Sequence, residues 1–387
     1  MASQSSLPTG PDDRIEAGSA RPDDDDTRSQ AVRLRPALAA LPRYIPGSGG
    51  TNPSVFKLSS NELPGPVLPA VTSALVDAVE EVNRYPQMYA DRLTEAIGAR
   101  HDVPAEQVLV GNGSVALIEL LLRSVCTDGD EVVYPWRSFE AYPILVQVTG
   151  ASSRQVPVRA DGGHDLEAMA AALTERTRAV IICSPNNPTS TALSHRELSD
   201  FLARVPRDVM VILDEAYVDF VRQDDPIDSR ALLPEYKNLV IVRTFSKAYG
   251  LAGLRVGYLL ARRRLVAGLR AGATPFGVNG LAQMGALVAL QLSDQVRDRV
   301  ETVVAERDRV IRALREQGWE LPEAQGNFYW LPVGEHAVAL GDAAARAGVM
   351  VRPFAGDGVR VTIGEREAND IVIGLARHWV GRQRRQP

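Results

Sequence analysis

Cysteine, histidine and aromatic residues are scarce in this chain of 387 residues, which holds two cysteines, five histidines and only 6% Phe, Trp and Tyr. Cys126 and Cys183 both lie inside apolar segments (LLRSVCTDGD and AVIICSPNN), which reads as two reduced core thiols in a reducing compartment. The histidines, His101, His164, His195, His336 and His378, include no pair at ligand spacing and have no partner cysteines, so no protein-built metal site is expected. No apolar run approaches the ~20 residues of a membrane span, and the N-terminus lacks the basic-then-apolar layout of a secretion signal. A cytoplasmic protein with no membrane partner is the expectation. Basic excess is missing as well: the formal net charge is -5, and nucleic acid is not implied as a partner.

With 45% hydrophobic and 24% charged residues, the chain has the composition of an ordinary globular protein. Its length suits two domains or one large α/β unit, with a core that needs no staples. Residues 1–30 stand apart: seven acidic residues against three arginines, no aromatic residue and almost no aliphatic ones. Such a segment cannot offset the entropy of ordering and reads as a disordered acidic tail; most of the negative charge resides there, leaving the remainder near neutral.

From about residue 70, helix-like stretches (LPAVTSALVDAVEEV, DRLTEAIGARH, SVALIELLLRSV) alternate with short β-branched runs: QVLVG, EVVYP, RAVIICSP, VMVILDEAY, NLVIVRTFS and RVGYLL. Short apolar runs bounded by turn residues and separated by amphipathic helices describe strands buried on both faces of a mostly parallel sheet. The fold class is therefore α/β, with a mostly parallel central sheet flanked by helices in a large domain over residues 61–270. After residue 270 the texture changes to a long helical stretch from about Gly280 to Gln317, the short strands GNFYWLPV, MVRPF and GVRVTIG, and a last helix EANDIVIGLARHW. A smaller α+β domain is expected from residues 31–60 with 271–387. No internal repeat is present.

Sites on open α/β sheets lie at the carboxyl ends of the strands. In RTFSKAYGLAGLRVGY a strand ends at Thr244 to Lys247, with glycines and Arg255 following; a lysine there could form an imine while Ser246 and Arg255 hold a phosphate. A lone strand-end lysine is more often a solvated surface group, so the companions decide. In VILDEAYVDF, Asp214 and Tyr217 place a carboxylate and a phenol at another strand end, able to keep a pyridinium nitrogen protonated and to donate to a ring oxygen. ICSPNNPTS offers Asn187 as an amide donor, or simply a turn. LVGNGSVALIELLL is a strand, a tight turn and a helix, whose unpaired amides near Gly113, Ser114 and Val115 form a natural phosphate cradle.

In this order and spacing the four segments resemble the PLP-dependent aminotransferases of fold type I, in the subfamily of histidinol-phosphate aminotransferase. The resemblance runs from about Leu41 to Trp379 and extends to LPRYIPG, KLSSNELPGP, NRYP, GNFYWLP and VRPF followed by VRVTIG. GNGSVAL and YPWRSFEAYPILV look most like the actinobacterial-type aromatic amino acid aminotransferases. Val115 and Ala116 stand where histidinol-phosphate enzymes more often show an acidic pair. One departure concerns the pocket wall, because Leu63-Pro64 is followed directly by Gly65 where family members have an aromatic residue after the proline.

The resemblance implies roles residue by residue. Lys247 would be the catalytic lysine that bonds pyridoxal 5'-phosphate and moves the proton between substrate Cα and cofactor C4′. Asp214 would hold the pyridine nitrogen protonated, with Tyr217 and Asn187 on the ring's phenolic oxygen. Ser114, Val115, Ser246, Arg255 and Tyr85 of NRYP would take the phosphate, Tyr85 reaching in from the second subunit of a homodimer. Trp136 is favoured to stack on the ring, with Phe139 as runner-up. Arg360 would clamp the substrate carboxylate, while Arg352, Tyr44 and Asn61 would complete the substrate pocket. The reaction implied is ping-pong transfer of the amino group of an aromatic amino acid donor to a 2-oxo acid acceptor, 2-oxoglutarate. The alternative is histidinol-phosphate aminotransferase itself. A decarboxylase on the same fold and a non-catalytic PLP-binding protein are more distant readings.

Overall fold

The computed structural model describes residues 55–382, together with Arg35, Leu38 and Leu41. The acidic segment 1–30 and Tyr44 lie outside the described residues.

A seven-stranded sheet forms the centre. Its strands are β2 (Val108–Gly111), β3 (Glu131–Trp136), β4 (Ser152–Pro157), β5 (Thr177–Cys183), β6 (Met210–Asp214), β7 (Leu239–Thr244) and β8 (Gly257–Leu260), in the order β2-β8-β7-β6-β5-β3-β4. β8 runs antiparallel to both neighbours, and the pairs from β7 to β4 are parallel. β5 and β6 carry the uninterrupted apolar runs Ala-Val-Ile-Ile-Cys and Met-Val-Ile-Leu because helices cover both faces of the sheet, which leaves no polar side to alternate with. The mostly parallel sheet expected from the sequence is thus present. β4 is a strand that apolar runs do not announce: SSRQVP is polar and five of its six residues are exposed, as an edge strand tolerates.

Several helices start where short polar side chains satisfy the free amides. Ser194 and Glu197 form a reciprocal capping box at His195–Leu202, Asp165 caps Leu166–Ala171, and Asn279 caps Gly280–Gln291. The long stretch read as helical from Gly280 to Gln317 is two helices, Gly280–Gln291 and Ser293–Glu316, broken at Leu292. The first packs against helices Pro69–Ala78 and Asp91–His101; the second packs against Arg366–Ala376.

A second, antiparallel sheet comprises β9 (Phe328–Leu331), β11 (Arg352–Phe354) and β12 (Gly358–Thr362), in the order β11-β12-β9. β1 (Phe56–Lys57) pairs in parallel with β10 (Val349–Met350), tying the start of the described chain to its C-terminal part. Residues 58–62 then run from this pair to the carboxyl ends of the central strands. No helix among the described residues is long and apolar enough to cross a membrane.

Candidate active site

The carboxyl ends of β5, β6 and β7, the turn after β2 and the loop after β3 open on one cavity of about 490 Å3. Direct connections of this kind deliver residues distant in sequence to one edge of the sheet, where open α/β folds carry their sites. Ser114, Val115, Asn187, Asp214, Tyr217, Ser246, Lys247, Arg255, Arg352 and Arg360 all line it. Asn61 sits beside them through its hydrogen bond to Tyr217.

Lys247, three residues past the end of β7, turns its amine toward residues 60–61. Nζ donates to the carbonyls of Ser60 and Asn61, each at 3.2 Å. Its pKa is pushed down to about 7, first by enclosure and then by the guanidinium charges of Arg360 and Arg255; Glu62 and Asp214 act in the opposite sense. An amine so placed is substantially neutral near pH 7, the form that attacks a carbonyl and accepts a proton. Asn61 is itself held with φ of 53°, in the left-handed region that asparagine tolerates. Its amide N–H donates to Thr362 Oγ1, its Nδ2 donates to Tyr217 Oη at 3.0 Å, and its carbonyl accepts from Asn327 Nδ2. The carbonyls that aim Lys247 are therefore fixed by β12 and by the loop before β9.

Asp214, the last residue of β6, is 4% exposed. Its carboxylate accepts from Tyr142 Oη at 2.7 Å and from the Ala216 amide at 3.2 Å. Burial pushes its pKa up to about 6, while those two hydrogen bonds oppose the rise. A buried carboxylate supported by neutral donors is suited to bind a cationic ring nitrogen, which would supply the missing positive charge. Burial also drives the Tyr217 and Tyr142 hydroxyls well above the usual phenol range, so both act as neutral groups. Tyr142, in helix Ala141–Thr149, was not singled out from the sequence: a phenol in an apolar helix reads as core, and its contact with Asp214 is set only by packing.

The phosphate cradle inferred from LVGNGSVAL has the geometry such a group needs. Gly113 opens helix Gly113–Val125 with φ of +82°, and a Cβ there would meet Arg255 Nη2 at 2.5 Å. A Cβ on Gly257 would lie 2.8 Å from the Ser114 amide nitrogen. Arg255 Nη1 donates to Ser246 Oγ at 3.2 Å. Helix amides, a hydroxyl and a guanidinium thus converge on one end of the cavity, with the buried carboxylate of Asp214 and the amine of Lys247 also lining it. Those donor types at those places fit pyridoxal phosphate.

Arg360 donates to Asn187 Oδ1 at 2.6 Å and to the Ser59 carbonyl. Arg352 pairs with Glu140 at 2.8 Å. Besides Tyr217, the aromatic ring that lines this cavity is Phe139; Trp136, favoured from the sequence, is not among the lining residues. Trp136 ends β3 on the same pleat face as Tyr134, packs edge-on to it with centroids 6.2 Å apart, and carries the Arg137 guanidinium 4.7 Å above its own ring. The wall falls instead to the turn that follows, where Phe139 and Glu140 precede the helix. Tyr85 is also absent from the cavity; it is 84% exposed and stacks on Phe276 at 4.8 Å. At the Leu63-Pro64-Gly65 departure, Gly65 adopts φ of +81°, Arg299 donates to the Pro64 carbonyl and Glu62 lines the cavity. Among the described residues no cluster of His, Cys, Asp and Glu could hold a metal ion.

A partly buried lysine beside a buried carboxylate at the carboxyl edge of a mostly parallel sheet is the arrangement of an aminotransferase, and residues 53–374 match the family model of aminotransferase class I and II. The chain belongs to that family. It is 50% identical over 349 residues to an aromatic amino acid aminotransferase of Streptomyces avermitilis, covering 90% of this chain and 97% of that protein, and 48% identical to one of Streptomyces coelicolor with the same coverage. The crystal structure of histidinol-phosphate aminotransferase from Sinorhizobium meliloti in complex with pyridoxal-5'-phosphate shares the fold, with a TM-score of 0.82 at 22% identity over 91% of this chain and 99% of that one.

Proposed function

We propose that this chain is a pyridoxal phosphate-dependent aminotransferase that takes the amino group from an aromatic amino acid and passes it to a 2-oxo acid such as 2-oxoglutarate. The observation that carries the reading is the convergence of Lys247, Asp214 and Arg360 on one cavity whose remaining wall includes Val115, Phe139, Ile144 and Leu145, apolar side chains against which an aromatic donor can bury its ring. That both Streptomyces relatives are aromatic amino acid aminotransferases supports the aromatic assignment over the histidinol-phosphate alternative.

When bound, the cofactor supplies an electron-accepting ring for the charge left as the substrate Cα loses its proton. Lys247 would take up that proton and hand it back, and the carbonyls of Ser60 and Asn61 hold its amine in place. Asp214 would keep the ring nitrogen protonated. Asn187 and Tyr217 would donate to the ring's phenolic oxygen, and Arg360, oriented by its bond to Asn187, would grip the substrate carboxylate through its fork of N–H groups. Ser114, Val115, Ser246 and Arg255 would hold the phosphate, with Phe139 as the apolar wall for the ring.

The working form is a homodimer. Val76, Val79, Val82, Tyr85, Met88, Tyr89 and Phe276 account for nearly all the exposed large apolar side chains among the described residues, and such a concentrated patch is what a subunit interface leaves on an isolated protomer. Tyr85 at that patch would complete the phosphate site of the partner. Size measurement by light scattering should return twice the 42.0 kDa chain mass. The activity itself is tested by mixing cofactor-loaded enzyme with phenylalanine alone: the yellow colour must bleach and pyridoxamine phosphate must accumulate without an acceptor. An unchanged spectrum would sink the assignment.

A further inference from the structure

Arg352 and Arg360 stand directly opposite one another in the antiparallel ladder of β11 and β12. Residues in that register share a face, and here both guanidiniums enter the same cavity. Two cations directly opposite repel, and together they would form a receptor for a doubly charged anion. The third charged side chain at this point is Glu140, from the other side of the cavity, whose Oε2 lies 2.8 Å from Arg352 Nη2. Both members are substantially enclosed, with side chains 11% and 31% exposed, so the pair is screened less than a surface ion pair. Glu140 is the residue immediately before helix Ala141–Thr149 and makes no side-chain bond to that helix's free amides, so its carboxylate is turned to Arg352. A second bond holds the same walls together: Arg137 donates through Nε to Asp357 at 2.8 Å, across the turn that joins β11 to β12.

We propose that Glu140 is the specificity-determining residue for the anionic group of the donor: by neutralising Arg352 it leaves a receptor matched to a monoanionic carboxylate and set against a dianionic phosphate. The inference rests on the aminotransferase reading above and deepens it. A phosphate monoester loses its second proton near pH 6, so at neutral pH it would bring about two negative charges beside the Glu140 carboxylate, which repels them and already occupies the arginine they would need. A carboxylate brings one charge, which Arg360 can meet. The selection is built from repulsion as well as attraction, as discrimination between similar ligands commonly requires.

The test compares cofactor-loaded wild type with Glu140→Gln, measuring kcat/KM for phenylalanine and for L-histidinol phosphate, whose phosphate-bearing carbon replaces the carboxylate. The ratio of histidinol phosphate to phenylalanine should rise by about tenfold in the variant, the scale of one freed charge pair in a partly enclosed site, and Glu140→Asp, which keeps the charge, should restore the wild-type preference. A ratio that rises less than threefold overturns the proposal. An independent arm uses the wild type alone: its preference for phenylalanine should sharpen between pH 5.5 and 7.5 as the phosphate becomes dianionic, and a flat ratio overturns the proposal even if the variant fails to fold. Turnover of neither donor by the wild type would instead refute the aminotransferase reading.

Discussion

Asp214 and Glu215 are neighbours at the end of one strand, both acidic and both buried, at 4% and 1% exposure, yet they belong to opposite kinds of chemistry. The pleat sends consecutive side chains to opposite faces. Asp214 enters the cavity, where its carboxylate accepts from a phenol and a backbone amide. Glu215 turns the other way and meets Arg243 at 2.8 Å and Ser229 at 3.0 Å. The comparison repeats one strand over, where Arg243 belongs to the ion pair and Thr244 lines the cavity. A structural ion pair brings its own countercharge; a functional carboxylate is left for a ligand to complete. Stability resides in the first and reactivity in the second.

Four experiments probe that division. The largest effect is expected at Lys247: Lys247→Ala should lower turnover by about 10^3-fold or more, because among the described residues it is the one amine lining the cavity. Steady-state rates check this, and residual activity within tenfold of wild type would remove Lys247 from the mechanism. Next comes the neighbouring pair. Asp214→Asn should cost on the order of 10^2-fold in kcat with little loss of stability, whereas Glu215→Gln should destabilise by roughly 2–3 kcal/mol, somewhat less than a fully buried pair because Arg243 is partly exposed, while the folded protein keeps its rate. Urea melts and kcat measured on the same preparations would break the comparison if both variants lost the same property.

The third measurement is the pH dependence of Lys247 in cofactor-free protein. A lowered pKa means the reactive neutral amine predominates above about pH 7, so labelling by an amine-directed reagent should rise through a midpoint near 7, well below the ~10.4 of an ordinary lysine. A midpoint above pH 9 would show that enclosure does not activate the residue. The smallest effect belongs to Tyr142→Phe. Its hydroxyl holds the Asp214 pKa down, so its loss should raise that pKa further and move the acid limb of the pH–rate profile toward neutrality, with a severalfold fall in kcat below pH 7. An unmoved limb would reduce Tyr142 to a packing residue.

The legibility of the site in the sequence followed the same line. Lys247, Asp214 and Asn187 could be read because each closes or follows an apolar run, and the α/β pattern says such positions share one edge; Arg255 could be read from the glycine-rich turn that follows Lys247. Strand β4 could not, because its polar, exposed residues carry no burial signal. Trp136 and Phe139 were separable only by the turn after β3: both are aromatic in one short segment, and which of them faces the cavity depends on where the strand ends and the helix begins. Glu140 carried no signal at all, since its partner Arg352 lies 212 residues away.

By itself the chain determined most of the elements, their mostly parallel order and the chemical types gathered at one edge of the sheet, because periodicity, capping and turn preference are local. What only the tertiary structure decided is which side chains touch: Tyr142 on Asp214, Asn61 on Tyr217, and Glu140 between a helix and the arginine ladder. Those contacts join segments far apart in sequence, and their energies depend on burial and countercharge that exist only once the sheets and helices have packed.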